Sequence, residues 1–310
     1  MRSALRRAAP LLLGLAASSC GNNLDPAWKV NAFRILAAPI DNLDRVETPS
    51  FTDIAPGERV RLRLITADNV EPARAVQIIW VFCAQATVTG NTFGCAPGGA
   101  SVQMGAEVVY QLPVGALTSI DTLGRSRVQA VAVACTGTLG FDPATNTPTC
   151  SGNNAVSWTM TRSIQVRPPT PTEPSNRNPQ ITEVVLYRGT GTEDPVVLDA
   201  SMPLRLPRCA AEPCRAYTVE IRAPGAARET YTSLNAQAQP VPTRERLVFG
   251  YFTTLGEYDG SFRIDTDRVP EGPIRNTIEA PKTAGTARLW FTAQDNRGGV
   301  DVVARSVIFE

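Results

Sequence analysis

Apolar and polar residues alternate over long stretches of this chain. Arg59-Val60-Arg61-Leu62-Arg63-Leu64 keeps a strict period of two. That period predicts a half-buried strand, with Val60, Leu62 and Leu64 turned inward and the three arginines turned to solvent. Ala75–Cys83 is apolar on both parities, as a strand covered on two faces is. Val30–Leu36, Glu107–Leu112, Arg127–Cys135 and Val156–Val166 supply further strand candidates. A second set follows: Ile181–Tyr187, Pro203–Leu206, Tyr217–Arg222, Arg246–Thr253, Gly260–Ile264, Ala287–Ala293 and Val300–Phe309. Pro and Gly, 25 and 23 in number, punctuate the whole sequence and leave no amphipathic helix pattern. Many short strands between turn residues predict an all-β chain of the sandwich or barrel type.

The strands fall into two groups. Between them, Pro168-Pro169-Thr170-Pro171-Thr172-Glu173-Pro174 places four prolines in seven residues. Such a run cannot enter a sheet interior and favours extended geometry, so residues 168–178 read as a semi-rigid linker. Residues 28–167 and 179–310 are then expected to form two immunoglobulin-like β-sandwich domains in tandem. Trp80 falls where such a sandwich places its core tryptophan, and Trp290 reads as core too, whereas Trp28 and Trp158 carry no such sign. Asp295-Asn296-Arg297-Gly298-Gly299 reads as a hairpin turn, with Asn296 and the glycine pair as sources of positive φ.

The first twenty residues are of another kind. Arg2, Arg6 and Arg7 precede an apolar stretch from Ala8 to Ala17, and Ala17-Ser18-Ser19-Cys20 follows. The apolar stretch is too short to span a bilayer, which takes roughly 20 residues, and has the form of a secretory signal. Small residues ahead of Cys20 resemble a bacterial lipobox, with Ala17 where that motif usually has Leu. The resemblance implies a signal peptide over 1–19, a lipid on Cys20 and a tether over 20–27. Gly21, where lipoproteins retained in the inner membrane tend to have Asp, implies the outer membrane. The cysteine count agrees: there are seven, and six remain once Cys20 is lipidated, an even number as a disulfide framework requires. Each has a neighbour across one loop, which predicts Cys83–Cys95, Cys135–Cys150 and Cys209–Cys214. The first two would restrain long loops and the third would pin a tight hairpin. A Cys83–Cys135 bond is not expected, because adjacent antiparallel strands end at opposite poles.

Charge narrows the function. Without Arg2, Arg6 and Arg7 the chain holds 27 basic and 29 acidic residues, a net of −2. Nucleic acid calls for a basic surface, so no nucleic-acid partner is expected; the membrane contact expected is the lipid. The chain has no histidine. This removes Ser-His-Asp and Cys-His catalysis and the usual zinc ligands. No enzyme, cofactor or metal is expected.

Three groups of residues remain as candidate sites. Arg59, Arg61 and Arg63 form a cationic row that fits an anionic ligand, although a solvated strand face is the ordinary role of such a row. Glu257 and Asp259 lie between Gly256 and Gly260 and read as an exposed turn rather than a hydrolytic carboxylate pair. Asp295 with Asn296 lacks the spaced acidic series that calcium needs.

Several segments resemble a recurrent type of myxobacterial cell-surface lipoprotein with immunoglobulin-like or PKD-like modules. They are Arg34-Ile35-Leu36-Ala37 with Pro56-Gly57-Glu58, Trp80 with Cys83, Phe249–Gly256, and Leu289-Trp290-Phe291 with Asp295–Gly299. The resemblance implies an envelope protein of that architecture. The expected function is a non-enzymatic binding or scaffold module on the outer membrane, facing the periplasm or the cell surface and contacting an envelope protein. The alternative is a surface adhesin that reads glycans through the loops 83–95 and 135–150.

Overall fold

The computed structural model describes residues 26–310 apart from short stretches at 71, 85, 90–91, 96–99, 117–118, 121–125, 143–146, 168–173, 225–228, 236, 238 and 265–272. Every regular element among the described residues is a β-strand. The strands build two hydrophobic cores, each between two sheets.

In the first core, one sheet orders Ile40–Asn42, Arg59–Arg63 and Glu107–Gln111 side by side. The facing sheet runs Ser157–Val166, Ser126–Cys135, Gln77–Cys83 and Ala100–Met104. In the second core, one sheet runs Pro195–Val197, Glu183–Tyr187, Ala216–Arg222, Ile274–Glu279 and Glu257–Tyr258. Its partner runs Leu204–Leu206, Val300–Phe309, Gly285–Asp295, Leu247–Thr253 and Phe262–Ile264. Leu204–Leu206 joins that sheet in parallel, and the other strand pairs of these four sheets, among the described residues, are antiparallel. In both halves the chain crosses between the sheets in the order of an immunoglobulin-like sandwich.

The alternation read from sequence is the alternation of burial. Val60 and Leu62 are fully buried between the three arginines of their strand. Trp80 is fully buried, its indole N–H donates to the Gly105 carbonyl at 3.1 Å, and Phe82 stacks on Tyr110 beside it. Trp290 is buried but on the outer side of its sheet. It joins Val30 and Ala67 in a third, smaller cluster between the two sandwiches. Trp28 is buried within the second core, although it precedes the first sandwich in sequence. Backbone bonds from Val30 N to Thr253 O, at 2.8 Å, and from Thr253 N to Trp28 O, at 3.0 Å, hold this segment against the second sandwich. Trp158 is exposed.

The junction is stitched rather than open. Residues 168–173 of the proline-rich run lie outside the described residues, but 174–178 are bonded on both sides. Thr52 N donates to Asn176 O, and Asn178 N to Ser50 O. The Asn178 side chain donates to Ile40 O at 2.7 Å and accepts from Val300 N at 2.9 Å, so one amide joins a strand of each sandwich. At the far end of the same hairpin, Arg288 donates to the carbonyls of Asp68 and Val70. A polar seam thus runs along the outer face of the 285–309 hairpin.

The three disulfides pair as the sequence predicts: Cys83–Cys95, Cys135–Cys150 and Cys209–Cys214. Two details differ from expectation. The segments closed by the first two contain their own hairpins, Ala86–Thr89 with Thr92–Cys95 and Thr138–Asp142 with Thr147–Ser151, because their Thr-rich runs pair locally. The third bond closes no hairpin. It braces the crossing from Leu204–Leu206 in one sheet to Ala216–Arg222 in the other.

Candidate functional site

Cys20 lies outside the described residues. The arginine row is described in full. Its strand is the middle one of three, and acids from both neighbours reach it. Asp41 sits directly across from Arg61, and Glu107 across from Arg63. Arg61 Nη2 and Arg63 Nη2 lie 3.2 and 3.3 Å from the same Asp41 Oδ2, and Arg61 Nη1 lies 3.9 Å from Glu107. Arg59 grips Asp44 through its guanidinium, at 2.6 Å, and through its backbone N–H. Hydrogen bonds from Arg59 hold the Asp44 carboxyl below its ordinary range. Each cation of the row therefore has an acid of its own chain, and the row offers an anion less charge than its sequence suggests.

Asp259 is paired with Arg263 at 3.3 Å, and Glu257 belongs to an edge strand. Among the described residues, one group of three has ligand atoms close enough for a metal: Cys209, Glu212 and Cys214. Both sulfurs are consumed by the disulfide, so no thiolate remains there to ligate.

Asp295 belongs to a site that sequence reading missed. It is buried, and its Oδ1 accepts from Arg297 N and Gly299 N at 2.8 and 2.7 Å. Its Oδ2 lies 3.3 Å from the Asn176 amide nitrogen. The carboxylate thus shapes its own turn and touches the junction segment. Of the turn residues proposed for positive φ, only Gly298 has it, at 103°. Gly299 is needed for space: a Cβ there would meet Asp295 Oδ2 at 2.2 Å and Arg177 O at 2.8 Å.

Arg297 leaves this turn almost wholly buried and ends among two more acids. Its Nη1 lies 3.0 Å from Glu229 and 3.1 Å from Glu245, and its Nη2 donates to Pro174 O at 2.8 Å. Glu229 and Glu245 flank the hairpin Thr230–Leu234 with Pro240–Arg244. They are joined by Glu245 N to Glu229 O, at 2.9 Å, and Glu229 N to Glu245 Oε2, at 3.0 Å. Arg177 approaches Glu229 at 4.0 Å and binds Glu47 at 2.5 Å. Arg162 donates to the Gly298 carbonyl.

The electrostatics follow from burial. Glu245 has a fully buried side chain, and loss of water pushes its carboxyl up to about 7, helped by the charges of Asp295 and Glu229. Burial also raises Glu229 against the pull of Arg297, and raises Asp295 against the turn N–H groups. Asn176 Oδ1 and Arg162 Nε are buried there without a hydrogen-bond partner. Two acids on one guanidinium nitrogen, with a third nearby, form a group that can take up a proton near neutral pH.

Comparison with known proteins adds little. No family model matches the chain, and no curated protein matches it. Similar solved structures include a beta-glucuronidase from glycoside hydrolase family 2, with a TM-score of 0.20, 13% identity, and coverage of 91% of this chain and 21% of that one. Another is dimeric latent PorU from Porphyromonas gingivalis, with a TM-score of 0.21, 13% identity, and coverage of 91% and 24%. The chain spans about a quarter or less of their lengths, and at these scores the likeness carries no argument.

Proposed function

We propose that this chain is a non-enzymatic binding or scaffold module of the cell envelope, tethered to the outer membrane by a lipid on Cys20. The observation that carries the reading is the seam. Buried polar side chains lock the two sandwiches into one block, and the segment that follows the tether is itself built into that block through Trp28 and Val30. A scaffold needs such fixed geometry, and membrane attachment at 20–27 would feed directly into the junction. The arginine row, Asp259 and Asp295 are engaged in internal bonds, which suits a structural role. The competing adhesin reading asks for one loop surface. Cys83 pairs in register with Gln129, and Cys135 with Gln77, so the two disulfide-closed hairpins stand at opposite ends of a seven-residue strand, about 20 Å apart.

The test has two parts. Labelling with a radioactive fatty acid should mark the wild type and not Cys20→Ser; equal labelling would remove the anchor. Cross-linking in intact cells, followed by capture and mass spectrometry, should recover one protein partner in fixed proportion. Recovery of glycan or lipopolysaccharide alone would replace the scaffold by the adhesin.

A further inference from the structure

Four separated pieces of chain meet at the buried acids. The hairpin supplies Glu229 and Glu245, the 295–299 turn supplies Asp295 and Arg297, residues 174–177 supply the Pro174 carbonyl, Asn176 and Arg177, and the strand Ser157–Val166 supplies Arg162. Arg297 is the bolt: one guanidinium touches the hairpin acids and the junction carbonyl together. We propose that this cluster is a proton-controlled latch on the seam between the two sandwiches, closed while one of its carboxyls holds a proton and loosened when all three are ionised. The inference concerns the seam alone and does not rest on the binding-module reading.

The charged groups facing Glu245 can be named from each packed element. They are Glu229 from its own hairpin, Asp295 and Arg297 from the turn, Arg177 with its outer partner Glu47 from the junction segment, and Arg162 from the first sandwich. Arg177 is partly drawn away by Glu47, and Arg162 spends its Nη2 on a carbonyl. The net result is two buried carboxyls, Glu245 and Asp295, beside a partly exposed third, Glu229; the Arg297 guanidinium serves Glu245 and Glu229, while Asp295 rests on turn N–H groups. In a dry site like charges repel far more strongly than in water. A neutral Glu245 relieves that repulsion and can still accept from Arg297 and from Glu229 N. An ionised Glu245 gains most by reaching water, and it reaches water only if the hairpin lifts from the turn. That movement pulls Arg297 away from Pro174 and so frees the junction segment.

The unpartnered amide oxygen of Asn176 points the same way. Its amide nitrogen faces Asp295 Oδ2. Turning the amide by half a rotation would set the oxygen there instead, beside both Thr52 Oγ1 and Asp295 Oδ2, where the hydroxyl or a protonated Asp295 could donate to it. The cluster thus holds an acceptor that a protonated Asp295 could use.

Hydrogen exchange on the full chain tests the latch. The amides to follow are Glu229 N–H, which bonds Glu245, and Val300 N–H, which bonds Asn178. After correction for intrinsic exchange, their opening equilibrium should rise at least about tenfold between pH 5.5 and 8.5, with a midpoint near 7. Glu245→Gln keeps the shape and removes the ionisation, and should flatten the profile. A flat wild-type profile, or the same pH dependence in Glu245→Gln, overturns the proposal. Should that variant fail to fold, the carboxyl carbon shift of Glu245 in the wild type decides. A midpoint near 7 upholds the latch, and one below about 5 ends it.

Discussion

Two charged regions of this molecule use the same residue types to opposite effect. The Arg59, Arg61 and Arg63 row stands on an open strand face, and its ion pairs with Asp44, Asp41 and Glu107 are partly wet. The Glu229, Glu245 and Asp295 cluster is closed around Arg297 and lies between the sandwiches. On the open face, water reaches each arginine and shares the work of solvating it; Asp41 is buried, but it keeps a second arginine when one is removed. In the closed cluster Glu245, Asp295 and the Arg297 side chain are almost without water and only Glu229 is partly exposed, so each buried group depends on the others. The exposed row is conspicuous in sequence and contributes little; the buried cluster is inconspicuous and holds the halves together. Prominence along the chain is a poor guide to energetic weight when charges are involved.

The largest effect should come from removing the bolt. Arg297→Ala leaves Glu245 buried without its cation, Glu229 with Arg177 at 4.0 Å, and Pro174 O without its donor. Breaking a buried pair in this way costs about 3–5 kcal/mol, to be measured by denaturant titration. A loss below about 1 kcal/mol would mean that water enters the cluster freely and that the contrast with the open row is false. Gly299→Ala should follow, because its new Cβ must displace Asp295 Oδ2 and the Arg177 backbone; overpacking of this kind costs about 1–3 kcal/mol. Gly298→Ala is the control. It meets nothing nearer than Ser163 O at 3.7 Å, so it bears only its positive φ, about 1–2 kcal/mol.

The pH dependence sharpens the comparison. The folded carboxyl of Glu245 sits at about 7 against an ordinary 4.5. The folded state therefore holds this proton more tightly than the unfolded chain does. Its contribution to stability is fully present below 4.5 and is lost as pH rises through 7. Asp68 behaves in the opposite sense, because hydrogen bonds from Arg74 hold it below its ordinary 3.8. Its contribution is present above 3.8 and disappears as pH falls through the lowered value. Thermal stability should accordingly peak on the mildly acidic side, between about 4.5 and 6.5, and decline toward pH 8. A maximum at pH 8 would show that the buried acids are ionised at no cost.

How much of this was legible follows from where the partners lie. The Arg59–Arg63 strand announces itself because one face is all core and the other all charge. Ile274–Glu279 does not, although it is central in its sheet. Its buried face carries Asn276, which bonds Gly260 O and Arg263 instead of packing as a hydrophobe, so the apolar alternation is broken at its middle. Ala100–Met104 is an edge strand with exposed Val102 and Met104, and an edge buries too little to impose a pattern. Asp295 reads correctly as a turn residue. Nothing local marks Glu245, which stands between Arg244 and Arg246 and looks like a solvated charge run. Its burial is decided by Arg297, 52 residues onward, and by the junction segment, and no window of sequence contains all three. Trp28 illustrates the same limit: its core is built by strands that begin beyond residue 180.

The smallest effect belongs to the row itself. Arg61→Ala removes the contacts to Asp41 and Glu107, yet Arg63 still reaches Asp41. Partly exposed pairs of this sort contribute about 1 kcal/mol or less, and less again in salt. The change in unfolding midpoint should therefore be small at low ionic strength and smaller at 0.5 M salt (about a 4 Å screening length). The Arg297→Ala deficit, by contrast, should persist, because salt does not enter a dry cluster. If both variants lose their deficit in salt alike, the cluster is wet, and burial does not separate the two regions. If only the row responds, the same two residue types, arginine and carboxylate, have been given different physics by nothing more than the solvent the fold leaves around them.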